Sequence, residues 1–192
     1  MTDSDNQILD IVRSGNSRAY AVLVDRHKDR AMTLAVRLLG TKEEAEEMVQ
    51  DAFLKAYKSL DQFRGDAKFS TWLYRILYNL CMTRVTRRKG KMDHFDAEDD
   101  IARAATVGDD EVSIQERMEH EELRDLVTSE IENLPGKLKT VIILFYVQEM
   151  SYEEMSTVMN MPLGSVKTYL HRGRNLLRQR LLGQLKGEVS VP

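Results

Sequence analysis

The sequence predicts an all-α protein: two small helical domains joined by a flexible acidic linker, the second containing a helix-turn-helix. Three observations predict it. Apolar residues recur at gaps of three and four, and Gly and Pro are few in a chain that is 42% hydrophobic and 31% charged. An acidic stretch without periodicity interrupts that pattern near the middle. A short helical segment, a tight turn and a basic helical segment follow near the C-terminal end.

The elements follow in order. Asn6 to Arg13 reads as a short helix ended by Ser14-Gly15-Asn16. Ala19, Tyr20, Leu23, Val24, Ala31, Leu34, Ala35, Leu38 and Leu39 share one face of a second helix, and Gly40 stops it by taking the left-handed conformation. Thr41 and Glu44 have capping-box spacing. Ala45, Met48, Val49, Ala52, Phe53, Ala56, Tyr57 and Leu60 then form an amphipathic stripe. A fourth helix is predicted to start near Ser70, as N-cap, with Phe69 as staple and Leu73, Ile76, Leu77, Leu80 and Cys81 on its apolar face. From Met92 to about Ser113 the chain is acidic and aperiodic, which reads as a self-repelling linker. These boundaries give domains at 1–92 and 114–192 with a linker at 93–113. The second domain opens near Ile114. Met118, Leu123, Leu126, Val127 and Ile131 lead to a turn at Leu134-Pro135-Gly136, then Leu138, Val141, Ile142, Leu144, Phe145 and Val147 form a second apolar helix.

Whole-chain totals narrow the function classes. The net charge is −3, yet acid is concentrated between Asp93 and Asp125, and base at the end of the first domain and in the last helix. Local patches, not the total, decide where phosphates bind. One cysteine, Cys81, allows no intrachain disulfide and suits a small buried position. No apolar run approaches a membrane span and no signal peptide opens the chain, so a cytoplasmic protein without membrane insertion is expected. His27, His94, His120 and His171 are scattered, and no metalloprotease helix, cysteine pair, phosphate loop or nucleophile elbow occurs, so neither enzyme chemistry, a metal nor a cofactor is expected.

Phe63 to Lys91 concentrates aromatic and basic residues. Phe63, Phe69, Trp72, Tyr74 and Tyr78 crowd this segment, and Arg75, Arg84, Arg87, Arg88, Lys89 and Lys91 surround or follow them. Rings that stack on exposed bases beside cations that meet phosphates suit a nucleic-acid strand. The competing reading is a helical core whose cations favour the helix end.

Ser151 to Leu181 carries the second signal. Ser151 and Glu154 form a capping box, and Met155, Val158 and Met159 make a short apolar face. Asn160 stands where the turn needs a left-handed residue, and Pro162 suits the start of the next helix. Val166, Leu170, Leu176, Leu177 and Leu181 face inward, while Lys167, Thr168, His171, Arg172 and Arg174 face outward, with Arg178 and Arg180 beyond. Such a helix can enter the major groove, where Arg and Lys read guanine edges. The alternative is an ordinary helical hairpin with a basic exposed face.

From about residue 5 to 182 the chain resembles the bacterial sigma factors of the extracytoplasmic-function type. Two segments in order carry the resemblance: EEAEEMVQDAFLKAYKSLDQFRGDAKFSTWLYRILYNL and LPGKLKTVIILFYVQEMSYEEMSTVMNMPLGSVKTYLHRGRNLLRQRL. The resemblance implies binding to core RNA polymerase, through its β and β′ subunits, by Glu46, Glu47, Gln50, Asp51, Leu54 and Tyr57. It implies recognition and opening of the −10 element by Phe63, Arg64, Asp66, Lys68, Phe69, Trp72, Arg75, Ile76 and Asn79. It implies −35 recognition by Ser151, Tyr152, Ser165, Lys167, Thr168, His171, Arg172 and Arg174, the last as a phosphate contact. An anti-sigma factor partner and a monomeric free state are implied as well. In that family the reading positions that Thr168 and His171 occupy are variable, so the resemblance does not reveal the promoter sequence.

Energetics also favour a partner. Separating roughly ten base pairs costs about 1.4 kcal/mol per step, whereas stacking returns about 1–3 kcal/mol per captured base. A few rings cannot melt a duplex alone, so weak promoter binding by the free protein is expected. The competing function is a two-domain transcription regulator that uses the helix-turn-helix without polymerase. It would leave the aromatic segment unexplained.

Overall fold

The computed structural model of the 192-residue chain describes residues 2–89 and 120–188. Among these residues no strand occurs, and eight α-helices carry the fold. They are α1 (Thr2–Arg13), α2 (Tyr20–Leu39), α3 (Lys42–Lys58), α4 (Phe69–Lys89), α5 (His120–Glu132), α6 (Gly136–Ile142), α7 (Tyr152–Met159) and α8 (Leu163–Glu188). None is long and apolar enough to cross a membrane among the described residues. The acidic segment 93–113, and Ile114 and Met118, lie outside the described residues. Packing groups the described chain into two units, 2–89 with 144–163 and 120–143 with 164–188.

In the first unit α2, α3 and α4 pack on one another. Their shared core holds Leu23, Leu34, Ala45, Ala52, Ala56, Leu73, Leu77 and Cys81, each almost fully buried. The three alanines let neighbouring backbones approach, and the leucines fill the remaining volume. Gly40 caps α2 at φ +85 and donates to the Val36 carbonyl, as its place in the sequence predicts. Leu9 and Val12 anchor α1 in the core. Asp5 of the same helix accepts from His27 Nε2 at 2.9 Å and pairs with Arg26.

Three local features differ from the sequence reading. Helix α4 begins at Phe69, with Trp72 N–H donating to the Lys68 carbonyl at 3.1 Å, so Ser70 sits inside the first turn and is not the N-cap. Burial of the Phe69 ring against Phe63 and Trp72 draws that residue into the helix. Thr41 does not accept from the backbone of α3; its hydroxyl donates to the Glu44 carboxylate at 3.2 Å, which also meets Arg88 at 3.5 Å. A second cation-bearing helix thus competes for the side chain a capping box would use. The predicted helix from Leu138 to Val147 is α until Ile142 and continues as a π turn, Ile143–Val147. It is followed by Glu149 in the left-handed region at φ +53.

In the second unit Leu134, Leu138, Val141 and Ile142 are buried. Gly173 of α8 lies against α6: a Cβ there would meet Ile142 Cγ1 at 3.1 Å and the Leu138 carbonyl at 3.5 Å. Arg180 donates to the Asn133 carbonyl at 2.9 Å and faces Glu130 at 3.8 Å, which ties the end of α8 to α5.

Candidate functional site

Helix α3 carries the first surface. Its stripe Ala45, Met48, Val49, Ala52, Phe53 and Ala56 is buried, which turns Glu46, Glu47, Gln50 and Asp51 outward. Leu54 and Tyr57 continue that outer face although they are apolar, with 51% and 39% of their surface exposed; Tyr57, which its spacing assigns to the inward stripe, instead lies against the Tyr20 ring at the surface. Beside them Ser17, Arg18, Tyr20, Ala21 and Phe53 complete a shallow groove of ≈ 430 Å³. Glu47 accepts from Arg84 of α4, and Glu46 meets Lys42 at 3.8 Å. The six residues thus form one continuous face, carboxylates toward the N-terminal half and an apolar patch toward the C-terminal half.

The second surface is the loop 64–68 with the start of α4. Phe63 and Phe69 are buried, their rings 6.1 Å apart and nearly perpendicular. Trp72 lies 5.1 Å from Phe63 and 6.0 Å from Phe69 and is half-buried. The reading of these rings as core therefore applies to Phe63, Phe69 and Tyr74, all of them buried. Arg64, Asp66 and Lys68 are exposed, and Gly65 turns the loop at φ +80. Arg75 and Asn79 are exposed one and two turns along α4, with Ile76 half-buried between them. Helix α7 packs on α4 in this unit. Lys68 Nζ lies 2.7 Å from Glu154 Oε1, Thr71 donates to the same oxygen at 3.5 Å, and Arg75 donates to Asn160 Oδ1 at 3.4 Å.

Burial works against the charged form of Glu154, but Lys68, the Ser151 amide and Thr71 outweigh it and hold the carboxyl below its usual range. The Tyr74 hydroxyl is pushed up to about 12, first by burial, with Arg30 opposing and Asp5 adding to the shift. Burial raises the Cys81 thiol to about 12, so this cysteine is not a nucleophile at neutral pH.

The third surface is the helix-turn-helix segment. The Ser151 hydroxyl accepts from the Glu154 amide at 3.2 Å, and Glu154 accepts from the Ser151 amide at 2.9 Å, so the predicted capping box is formed. Asn160 takes the predicted left-handed conformation at φ +51. The turn is tightened by Ser156, whose hydroxyl donates to the Met161 carbonyl at 2.6 Å. In α8, Val166, Leu170 and Gly173 are buried, which leaves Lys167, Thr168, His171, Arg172 and Arg174 exposed. Ser165 and Tyr152 are half-buried, and Ser151 is exposed. Ser151 and Tyr152 group with the first unit and the α8 residues with the second. Arg178 and Arg180, expected to face outward, are half-buried.

Two residues escape the sequence reading. His27 is buried and held by Asp5, although a single histidine reads as a surface residue. Its spacing of four from Leu23 and Ala31 is the signal that could have placed it inside. Arg13 reaches across to carbonyls 47 and 50 residues away, a contact with no sequence signature. Among the described residues no group of His, Cys, Asp or Glu is arranged to hold a metal ion.

Comparisons with known proteins agree on one family. Residues 23–91 match Sigma-70 region 2, and residues 124–177 match Sigma-70, region 4. The chain is 40% identical to the ECF RNA polymerase sigma factor SigW of Bacillus subtilis, over 88% of this chain and 92% of that protein. It is 33% identical to the ECF RNA polymerase sigma-E factor of Escherichia coli, over 93% and 94%. Among solved structures it is similar to CnrH in complex with the cytosolic domain of CnrY, at 26% identity and a TM-score of 0.64, covering 93% of this chain and 97% of that one. The fold is also that of the sigma factor RpoE from Bartonella quintana, solved with the anti-sigma factor NepR, at 22% identity and a TM-score of 0.63, covering 84% and 96%.

Proposed function

Because the chain belongs to the ECF RNA polymerase sigma factors, we propose that it binds core RNA polymerase with the α3 face, captures opened −10 bases with the 63–79 segment and reads −35 DNA with α8. The functional domains in this reading are 1–92 and 114–192, joined by the acidic segment 93–113.

Each surface has chemistry suited to its task. Carboxylates at Glu46, Glu47 and Asp51 suit a basic partner surface, and Leu54 and Tyr57 supply apolar anchors of the kind that dominate interface energies. The β and β′ subunits of polymerase are the proposed partners. On the −10 side the rings of Phe63 and Phe69 are buried, while Arg64, Asp66 and Lys68 offer hydrogen bonds and charge to a base and its phosphates. On α8, Lys167, Thr168, His171 and Arg172 are directed to base edges and Arg174 to a phosphate. No catalysis is assigned to the chain itself. It works in the cytoplasm, where polymerase and promoters are, and is monomeric when free.

The observation that carries this reading is the exposed Leu54 and Tyr57 patch beside the α3 carboxylates. A regulator that acted only through its helix-turn-helix would use the α8 surface and have no need of this one. Control by an anti-sigma factor is part of the proposal. It rests on the family, and the related CnrH was solved in complex with part of another protein.

The test is to mix the purified chain with core RNA polymerase and a pool of promoter fragments and to sequence the transcripts. Defined start sites sharing −35 and −10 motifs are expected. Absence of both polymerase binding and initiation, with no co-purified inhibitor, would return the protein to the regulator class.

A further inference from the structure

The −10 loop is not held by region 2 alone. We infer that Arg13, at the end of α1, is a positioning residue that sets the place of the promoter-facing loop. The inference rests on the −10 role proposed for that loop.

Arg13 lies outside residues 23–91, the segment that matches Sigma-70 region 2. Its Nη2 donates to the Leu60 carbonyl at 3.0 Å and to the Phe63 carbonyl. Leu60 to Gln62 form a single 3-10 turn, and Phe63 N–H closes it on the Leu60 carbonyl at 3.1 Å. The Phe63 carbonyl is the last backbone group before Arg64, so it sets where the loop 64–68 departs. The far end of the loop is fixed by the Lys68 carbonyl, which accepts from Trp72 N–H. Between these two anchors the chain turns through Gly65 at φ +80, a conformation with little side-chain support.

A guanidinium suits the task. It is charged at every physiological pH, and each terminal nitrogen carries two N–H donors held in a rigid plane. One such group here meets two carbonyls at once and fixes the direction of the chain between them. Arg13 is itself held: Asp10 lies 3.9 Å away on the same helix, and Leu9 and Val12 pin that helix to the core. Asp5, at the other end of α1, is bonded to His27 and Arg26 of α2. Helix α1 is thus docked at both ends, and its last side chain braces the loop.

The test uses the full chain with core polymerase on a promoter it transcribes. R13A and R13K are compared with wild type for core affinity, urea midpoint, permanganate reactivity of −10 thymines, and transcript ratio on the intact promoter against one with a substituted −10 element. R13A is expected to keep core affinity and to lose opening by roughly tenfold or more, since misplacing a group by about 1 Å can cost up to about a hundredfold. Its discrimination against the substituted −10 element should fall as well, because a wandering loop reads less sharply. R13K should recover part of both, since an ammonium can also donate to two carbonyls but sits on a differently shaped, more flexible stem. Wild-type opening and discrimination in R13A would overturn the inference. So would a loss of opening that merely tracks core affinity and stability with discrimination intact. If wild type itself opened no promoter with polymerase, the −10 reading beneath the inference would be the part that fails.

Discussion

The Tyr20 hydroxyl donates to the carbonyl of Phe53 at 2.8 Å, and the Tyr20 ring lies 5.0 Å from that of Tyr57. One residue of α2 therefore supports the α3 backbone and one side of the apolar patch together. Tyr20→Phe removes the donor and is expected to cost about 1 kcal/mol of stability, the net worth of one such bond. Tyr20→Ala also removes the ring, and should cost about 3–5 kcal/mol, as other large aromatic truncations do. Urea unfolding measures both. An unchanged midpoint in Tyr20→Phe would mean that the bond does not contribute.

The patch itself separates binding from folding. Leu54 is half exposed, so Leu54→Asp should leave the urea midpoint within about 0.5 kcal/mol of wild type. Core polymerase affinity should fall by about 2 kcal/mol or more, roughly thirtyfold, if Leu54 is an anchor. Binding titration with labelled polymerase reads the effect. A Leu54→Asp protein that binds as tightly as wild type would remove the α3 face from the proposal.

Residues on α8 should divide by role. Lys167→Ala and Arg172→Ala are expected to cost about 1–3 kcal/mol on the best −35 sequence and to relax preference at one or two positions. Arg174→Ala should weaken all sequences about equally and reduce the salt dependence of binding by about one ion. Selection from randomised −35 fragments by holoenzyme distinguishes the patterns. Identical selected motifs from all three variants would show that none of these side chains reads a base.

Much of this was legible because the signals are local. The Ser151 and Glu154 cap, left-handed Asn160 and the Gly40 stop each depend on a few neighbouring residues, and each is formed as its spacing predicts. The buried stripe of α3 from Ala45 to Ala56 follows from periodicity, whereas Tyr57, which the same spacing assigns to that stripe, is exposed. What was not legible depends on partners distant in sequence. Thr41 keeps its capping spacing, yet Glu44 turns to the Thr41 hydroxyl and to Arg88, a residue 44 positions away. Phe63 and Phe69 look alike to an aromatic count whether they are core or stacking face; only their packing on Trp72 decides it. Arg13 resembles any surface cation at a helix end until the Leu60 and Phe63 carbonyls are placed beside it.

Glu154 gives the acid side of stability a definite sign. Its carboxyl is held below the ordinary range in the folded state, so the unfolded chain takes up the proton first as pH falls. The stabilisation is present above the unfolded value of about 4.3 and is lost as pH falls through the lower folded value. Urea midpoints between about pH 3 and 7 should therefore decline more steeply for wild type than for Glu154→Gln. Glu154→Gln should also be less stable at pH 7, because it loses the Lys68 pair and weakens the cap on α7. Superimposable pH profiles would refute the assignment.

The alkaline side runs the other way. Folded Cys81 and Tyr74 keep their protons up to about 12, from ordinary values of 9.0 and 10.0. The unfolded chain releases those protons earlier, so it binds fewer of them and stability falls as pH rises past about 8.5. Cys81 supplies the first step and a direct probe. It is fully buried, and its thiol remains protonated at neutral pH. Iodoacetamide at pH 8 should leave the folded protein unmodified and label it in urea, because the thiolate is the nucleophile. Its labelling rate in dilute urea should then report opening of the α2, α3 and α4 core, and should rise in Leu73→Ala, which loses about 2–5 kcal/mol from that core. Rapid labelling of the native wild-type protein at pH 8 would contradict both the burial of Cys81 and the alkaline prediction built on it.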